Sequence, residues 1–273
     1  MTTTVEEAST ESTGELRGRT ALVTGATGHL GRSLVWRFAE EGARLVIADL
    51  DPKTTEELAA EVRSETGIDA LAVTVDVSDA AAVDEVADRV TAEFGVCDTV
   101  LVNAGLLSHA HALGLSQAEW DRTIRVNLTG SFITAKAFAQ RMVDGSVTGS
   151  ITFTSSLFGV RGGAGNAAYS ATKFGVIGLA QSLAGDLAPA GIRVNCVCPG
   201  QIESRMLDTL FEERAVERGT SAEAERGRFL ERIPLGRLGT PDEVAQLFVF
   251  LASERSSYIT GQQFVLDGGW QVG

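Results

Sequence analysis

The chain has 273 residues, 44% of them hydrophobic and 22% charged, with a formal net charge of −13. That balance fits a soluble globular protein able to bury a sizeable core and excludes a disordered chain; no apolar run approaches the roughly 20 residues of a membrane-spanning helix. The 23 basic residues are scattered among 36 acidic ones, which argues against a nucleic-acid partner.

In chain order, the first stretch, MTTTVEEASTESTGELRG, is polar and acidic without the apolar segment of a secretory signal, and residues 1–16 read as a disordered tail. β-Branched apolar runs then alternate with helical patterns. Strands are expected at 20–25 (TALVTG), 44–49 (RLVIAD), 70–77 (ALAVTVDV), 99–105 (TVLVNAG), 150–156 (SITFTSS), 192–200 (IRVNCVCPG) and 262–269 (QQFVLDGG). Helices are expected near 30–42, 53–66, 79–94, 117–143, 167–188 and 241–253, with SQAE at 116–119 and TPDE at 240–243 as capping signatures. Strands apolar throughout and separated by helices predict an α/β fold. It is a single doubly wound Rossmann-type domain over 17–273, a parallel seven-stranded sheet with helices on both faces. Residues 203–235 interrupt the alternation with a charged helical insertion, either a substrate lid or a solvated surface excursion.

The three cysteines, Cys97, Cys196 and Cys198, form no disulfide framework and fit a reducing, cytoplasmic setting. Cys196 and Cys198 share one strand face and read as core, with metal or redox chemistry as the alternative. No metal site is expected.

In a doubly wound sheet, ligands sit beyond the carboxyl ends of the strands, where Thr24, Asp49, Asp76, Asn103, Ser156 and Pro199 converge. TGATGHLG, residues 24–31, places glycines between a strand and a helix, where backbone N–H groups and the helix dipole favour a pyrophosphate. Asp49 follows Gly31 by 18 residues. Its carboxylate would accept from the ribose hydroxyls and repel a 2′-phosphate, favouring NAD(H) over NADP(H); a solvated strand-end aspartate is the alternative. Asp76 and Asn103 suit the adenine edge or merely cap turns. In YSATK, Tyr169 and Lys173 stand four apart on one helix face, so the ammonium would favour a phenolate. The pair also occurs as plain packing, but Ser156 ends a strand just before the glycine-rich link to this helix, and Asn127 sits in mid-helix, where asparagine is mildly unfavourable.

Taken in order, TGATGHLG, Asp49, Asp76, NAG at 103–105, Asn127, Ser156, YSATK, PGQIES at 199–204 and GQQFVLDGG resemble the short-chain dehydrogenase/reductase superfamily, in its single-domain oxidoreductase branch. The resemblance runs from about residue 17 to the C-terminus. It implies that Tyr169 is the general acid/base, that Lys173 lowers its pKa and holds the ribose, that Ser156 polarises the reacting carbonyl, and that Asn127 positions a water. It assigns cofactor contacts to Gly25, Thr27, Gly28, His29, Leu30 and Gly31, to Asp49, Leu50, Asp76 and Val77, to Asn103, Ala104 and Gly105, and to Tyr169 and Lys173. PGQIES adds Pro199, Gly200, Ile202 near the carboxamide and Ser204 near the phosphates. Ser155 is the less suitable serine, because the family spacing to Tyr169 fits Ser156. One departure stands out: the branch pattern TGxxxGxG would place glycine at 29, where this chain has His29. The ring is expected to turn outward or to donate to a phosphate.

The substrate pocket is expected to be lined by Ser156, Leu157, Phe158, Leu107, His109, Gly163, Met206 and Leu207, an apolar set that suits a ketone or secondary alcohol. His109, His111 and Arg161 are solvated or read a polar substrate group. The leading reading is an NAD-dependent alcohol dehydrogenase or ketone reductase acting on a small molecule. Alternatives are a 3-oxoacyl thioester reductase, a sugar-nucleotide epimerase or dehydratase, and a non-catalytic dinucleotide sensor. The resemblance also implies a homotetramer built on the helices over 117–143 and 167–188 and on the C-terminal strand region, with no membrane partner.

Overall fold

Seven parallel strands make one sheet in this computed structural model, which describes residues 14–272. They are β1 (Thr20–Thr24), β2 (Arg44–Asp49), β3 (Ala70–Thr74), β4 (Thr99–Val102), β5 (Gly149–Thr154), β6 (Ile192–Pro199) and β7 (Gln263–Leu266), in the order β3-β2-β1-β4-β5-β6-β7. The register sets Leu22 between Val46 and Val100, so β1 lies between β2 and β4. The strand order reverses there, which opens a crevice at the carboxyl ends.

Parallel neighbours require crossovers, and helices supply them: α1 (His29–Glu40), α2 (Pro52–Thr66), α3 (Ala80–Phe94), α4 (Gln117–Ile124), α5 (Gly130–Asp144), α6 (Ala167–Leu187), α7 (Arg205–Arg218), α8 (Ala222–Leu230) and α9 (Pro241–Ala252). Strand side chains alternate between two cores. Leu22, Val46, Val100, Ile151 and Val194 meet Val90 of α3, Phe138 of α5 and Val176 of α6. Ala21, Val23, Leu45, Ile47 and Leu101 meet Phe38 of α1, Leu58 of α2 and Phe248 of α9 on the other face. Burial on both faces is why the central strands are apolar over most of their length, as in Leu22–Val23 of β1 and Leu45–Ala48 of β2. Helix starts are capped from the sequence: Ser116 accepts from Glu119 N, and Thr240 and Glu243 form a reciprocal capping box.

The helix expected over 117–143 is divided. Between α4 and α5, Arg125–Thr129 forms a π-helical turn with Asn127 at its centre. Several strands also stop early, at Thr74, Val102 and Thr154, so that Asp76, Asn103 and Ser156 stand in the loops beyond the sheet. Of the expected tail, residues 14–16 are described. Leu16 is fully buried and donates its N–H to Glu41 O at 3.0 Å, while residues 1–13 lie outside the described residues. Among the described residues no helix is long and apolar enough to cross a membrane.

The insertion after β6 folds as α7 and α8 and has a small core of its own. Phe211 and Phe229 stack edge to face at 5.3 Å, and Phe229 meets Trp270 from the C-terminus at 5.0 Å. Leu157, Leu207, Ile233 and Leu238 complete this cluster. Glu225, enclosed on the polar side, accepts from Thr220, Arg218 and Arg228, which hold its carboxyl below the usual range.

Candidate active site

The loop after β1 is shaped by two of its three glycines. Gly25 has φ +62°, and a Cβ on it would lie 2.8 Å from Ala104 Cα; one on Gly31 would fall on the Gly25 carbonyl oxygen. Gly28 is ordinary by comparison: φ is −67°, it caps α1, and a Cβ would come no nearer than 3.3 Å to Gly25 O. The loop thereby presents bare backbone and the positive end of α1 to the crevice. At its rim the Asp49 carboxylate accepts from Thr27 N at 2.8 Å, Thr27 Oγ1 at 2.6 Å and Leu50 N at 2.7 Å. A glycine cradle flanked by an acid at the tip of β2 fits a dinucleotide: its pyrophosphate needs backbone donors, and its ribose needs an acceptor.

The other strand-end residues divide into facing and bracing groups. Asn103 braces: Nδ2 donates to Thr24 O and Gly25 O at 3.1 and 3.2 Å, and Oδ1 accepts from Thr154 Oγ1 at 3.0 Å. The side chain expected at the adenine edge is thus engaged in tying β1, β4 and β5 together. Asp76 closes its own turn by accepting from Ser78 N, and Val77 is buried against Gly130. Ala104 N donates to Thr24 Oγ1, and Leu50 is exposed. Leu30 lies in the first turn of α1.

The four residues proposed for chemistry come from three elements that meet beside this loop. Asn127, fully buried in the π turn, accepts from Leu106 N at 2.7 Å and donates to Leu106 O at 2.8 Å and to Thr172 Oγ1 at 3.3 Å. Gly105 lies against both Asn127 and Lys173: a Cβ there would be 3.4 Å from Asn127 Oδ1 and 3.6 Å from Lys173 Nζ. Lys173 is buried; its ammonium donates to Thr154 O at 2.8 Å and lies 5.5 Å from the centre of the Tyr169 ring. The two adjacent serines differ in role. Ser155 is buried and donates to Lys173 O at 2.9 Å, whereas Ser156 is half-buried, extended, and accepts from Phe158 N at 3.1 Å. Gly159 lets this segment approach α6, since a Cβ there would fall on Ser155 Oγ. Thr154 and Thr172, which hold Lys173 and Asn127, are absent from the sequence reading; Thr154 acts through its backbone carbonyl, which no side-chain pattern reveals. Beneath them, Cys196 and Cys198 are buried in the core, and the neighbouring Cys198 thiol, with burial, pushes the Cys196 thiol up.

The expected pocket lining is only partly exposed to a cleft. Phe158 stands edge-on to Tyr169 with centroids 6.4 Å apart and lies over Gly163, where a Cβ would strike its ring. His109 lies against Gly165, and Leu107 is exposed. Leu157 and Leu207 are both buried in the apolar cluster that α7 and α8 form with Trp270. Met206 lies in the first turn of α7, while Arg161 and His111 are exposed. A cavity of about 470 Å³ lies elsewhere, lined by Gln201, Pro234, Arg237, Val265 and Asp267 among others, and none of the four proposed residues borders it.

PGQIES returns along the crevice. Gly200 N donates to Leu266 O at 2.8 Å, Glu203 N to Gly239 O at 2.9 Å, and Ser204 caps α7; Ile202 pairs with Gly239 and Pro199 ends β6. His29 reaches across to this segment, its Nε2 donating to Glu203 O at 2.7 Å.

A family model described as enoyl-(acyl carrier protein) reductase matches residues 25–271. The 3-oxoacyl-[acyl-carrier-protein] reductase of Thermotoga maritima is 37% identical over 255 residues, 93% of this chain and 98% of that protein. The D-threitol dehydrogenase of Mycolicibacterium smegmatis is 35% identical over 271 residues, 99% of each chain. The solved structure of an NAD+-bound xylitol dehydrogenase superposes with a TM-score of 0.87 at 31% identity, covering 93% of this chain and all of that one (100%). With the glycine loop, the seven-stranded parallel sheet and these full-length matches together, the chain belongs to the short-chain dehydrogenase/reductase superfamily.

Proposed function

We propose that the protein is an NAD(H)-dependent oxidoreductase that interconverts a secondary alcohol and its ketone. The observation that supports this reading is the buried Lys173 ammonium 5.5 Å from the Tyr169 ring, with Asn127 clamped to the backbone bordering Lys173, beside a glycine loop rimmed by Asp49. A nicotinamide dinucleotide held there by Gly25–Gly31, Asp49 and 199–204 supplies hydride uptake or delivery. The chain's own groups handle the proton and the charge. Tyr169 takes the alcohol proton at its phenol oxygen and returns it in the reverse direction. Ser156 donates a hydrogen bond to the same substrate oxygen as negative charge develops on it. Lys173, buried beside the ring, stabilises the phenolate by its charge. Asn127 clamps the 105–106 backbone that borders Lys173 and so keeps the ammonium in place.

Asp49 favours NAD(H), since a 2′-phosphate would meet a carboxylate, and the polyol dehydrogenases among the relatives support an alcohol substrate. The 37% identity to a 3-oxoacyl reductase favours a second reading, reduction of a 3-oxoacyl thioester. The helices α7 and α8 serve as the substrate lid. A homotetramer through α5 and α6 would cover Phe132 and Phe174, which are exposed there. Buried free Cys97, Cys196 and Cys198 support a reducing, cytoplasmic setting.

NADH and NADPH absorbance, followed over alcohols, polyols, ketones and 3-oxoacyl thioesters, separates the two readings. Tyr169→Phe should abolish turnover, with a loss of about 10²-fold or more, while NADH binding stays within about twofold. Turnover in that variant equal to the wild type refutes the assignment.

A further inference from the structure

The loop glycines sit at 25, 28 and 31, and the structure accounts for the shift. Gly28 supplies the N-cap and His29 becomes the first residue of α1, so its side chain leaves the helix at its positive end. It does not point into bulk solvent alone. Nε2 donates to Glu203 O at 2.7 Å, bridging 174 residues of sequence. Glu203 is itself a node: its N–H donates to Gly239 O at 2.9 Å, and its carboxylate lies 3.9 Å from Arg226 of α8. One residue later Ser204 caps α7. His29 thus joins the amino ends of two helices, α1 and α7, and fastens the root of the insertion to the glycine loop.

We propose that His29 is a latch, a positioning residue that ties the glycine loop to Glu203 across the pyrophosphate groove and slows dinucleotide release. The inference rests on the cofactor site described above. A groove open on one side releases a ligand as soon as its own contacts break. A groove bridged over the ligand also requires the bridge to open, so the effect falls on the dissociation rate. A glycine at 29 has no side chain to span the gap. Glutamine, with an amide N–H at similar reach, does.

The test is stopped-flow displacement of NADH from the full-length protein by excess ADP-ribose, followed by nicotinamide fluorescence. Hydrogen exchange of the 203–210 amides is measured in the unliganded protein alongside. His29→Gly and His29→Ala should release NADH about three- to tenfold faster, the scale of one solvent-accessible hydrogen bond, and should exchange faster at 203–210. His29→Gln should stay within about twofold of the wild type, a rescue that a mere packing role would not produce. Unchanged release in His29→Gly and His29→Ala, or a His29→Gln variant as fast as His29→Ala, overturns the latch while leaving the cofactor site intact. A wild-type protein that binds neither NADH nor NADPH overturns the cofactor reading and the latch with it.

Discussion

Gly31 and Gly28 look alike in the sequence, yet their local geometry predicts opposite outcomes on adding one methyl group. At Gly31 the new Cβ would overlap Gly25 O and sit 2.8 Å from both C and Cα of Ala26. Carbon contacts normally lie near 3.5–4.0 Å, so α1 must retreat by about 1 Å. That helix holds Leu34, Val35 and Phe38, each fully buried, against the sheet and α9. Three such side chains contribute about 1.5–3 kcal/mol each by burial, and a gap of that size forfeits a quarter to a half of their dispersion contacts. Gly31→Ala should therefore lose about 2–4 kcal/mol, a fall in Tm of roughly 5–15 °C for a chain of this size. It should also weaken NADH binding by an order of magnitude or more, since the cradle itself is displaced. Gly28→Ala meets nothing closer than 3.3 Å and keeps φ near −67°, so it should cost only the difference between glycine and alanine at an N-cap, under about 1 kcal/mol. Urea unfolding and NADH fluorescence titration of both variants measure the contrast. A Gly31→Ala protein as stable and as tight as Gly28→Ala would refute the close-packing argument.

The adjacent serines should separate in the same way. Ser156→Ala is expected to lower kcat by about 10²-fold with NADH affinity unchanged, whereas Ser155→Ala removes the buried bond to Lys173 O and should lose about 1 kcal/mol of stability with a much smaller loss of kcat. Ser155→Ala as the more damaging change to turnover would reverse the assignment. Hydrogen bonds from Arg237 and then from Thr240 N hold the Glu243 carboxyl at about 2, against an ordinary 4.5. A depressed folded value means stability present above pH 4.5 and lost as pH falls toward 2, so Glu243→Gln should flatten that part of a Tm-against-pH profile. The effect is small because the pair is solvent-screened, and an unchanged acid limb would show that the pair contributes nothing.

The alternation of apolar runs with amphipathic stretches made the parallel sheet legible, because burial on both faces leaves the central strands mostly apolar. The ends of the elements were less legible. Runs such as ALAVTVDV and TVLVNAG continue past Thr74 and Val102 with small and β-branched residues, although the chain has already left the sheet. Beyond that point the two-residue alternation no longer says which way a side chain points. Asn103 and Asp76, expected to face a cofactor, hold β-strand ends and a turn together for this reason. Ser155 and Ser156 were told apart only by family spacing, whereas the structure distinguishes them by burial and by the Lys173 carbonyl. The π turn around Asn127 left no trace beyond an asparagine in mid-helix. In the insertion, charge concealed a core: Phe211 and Phe229 are sparse among acidic and basic neighbours, and their partner Trp270 lies far along the chain.

The same limits bear on cofactor selection. A carboxylate offers about four lone-pair sites. At Asp49 Oδ2 accepts twice from Thr27 and Oδ1 once from Leu50 N, leaving about one site for a ribose hydroxyl. Engaging both hydroxyls of an adenosine ribose would therefore require Thr27 or Leu50 to yield a hydrogen bond, so cofactor recognition and support of the glycine loop draw on one group. A neutral replacement at this position removes the repulsion toward a 2′-phosphate, but it also weakens the charge-assisted bonds that hold Thr27. If NAD(H) is the preferred cofactor as proposed, a change toward NADP(H) would accordingly need a second substitution that braces the loop by other means. Asp49 is inseparable from the fold of the cradle it borders.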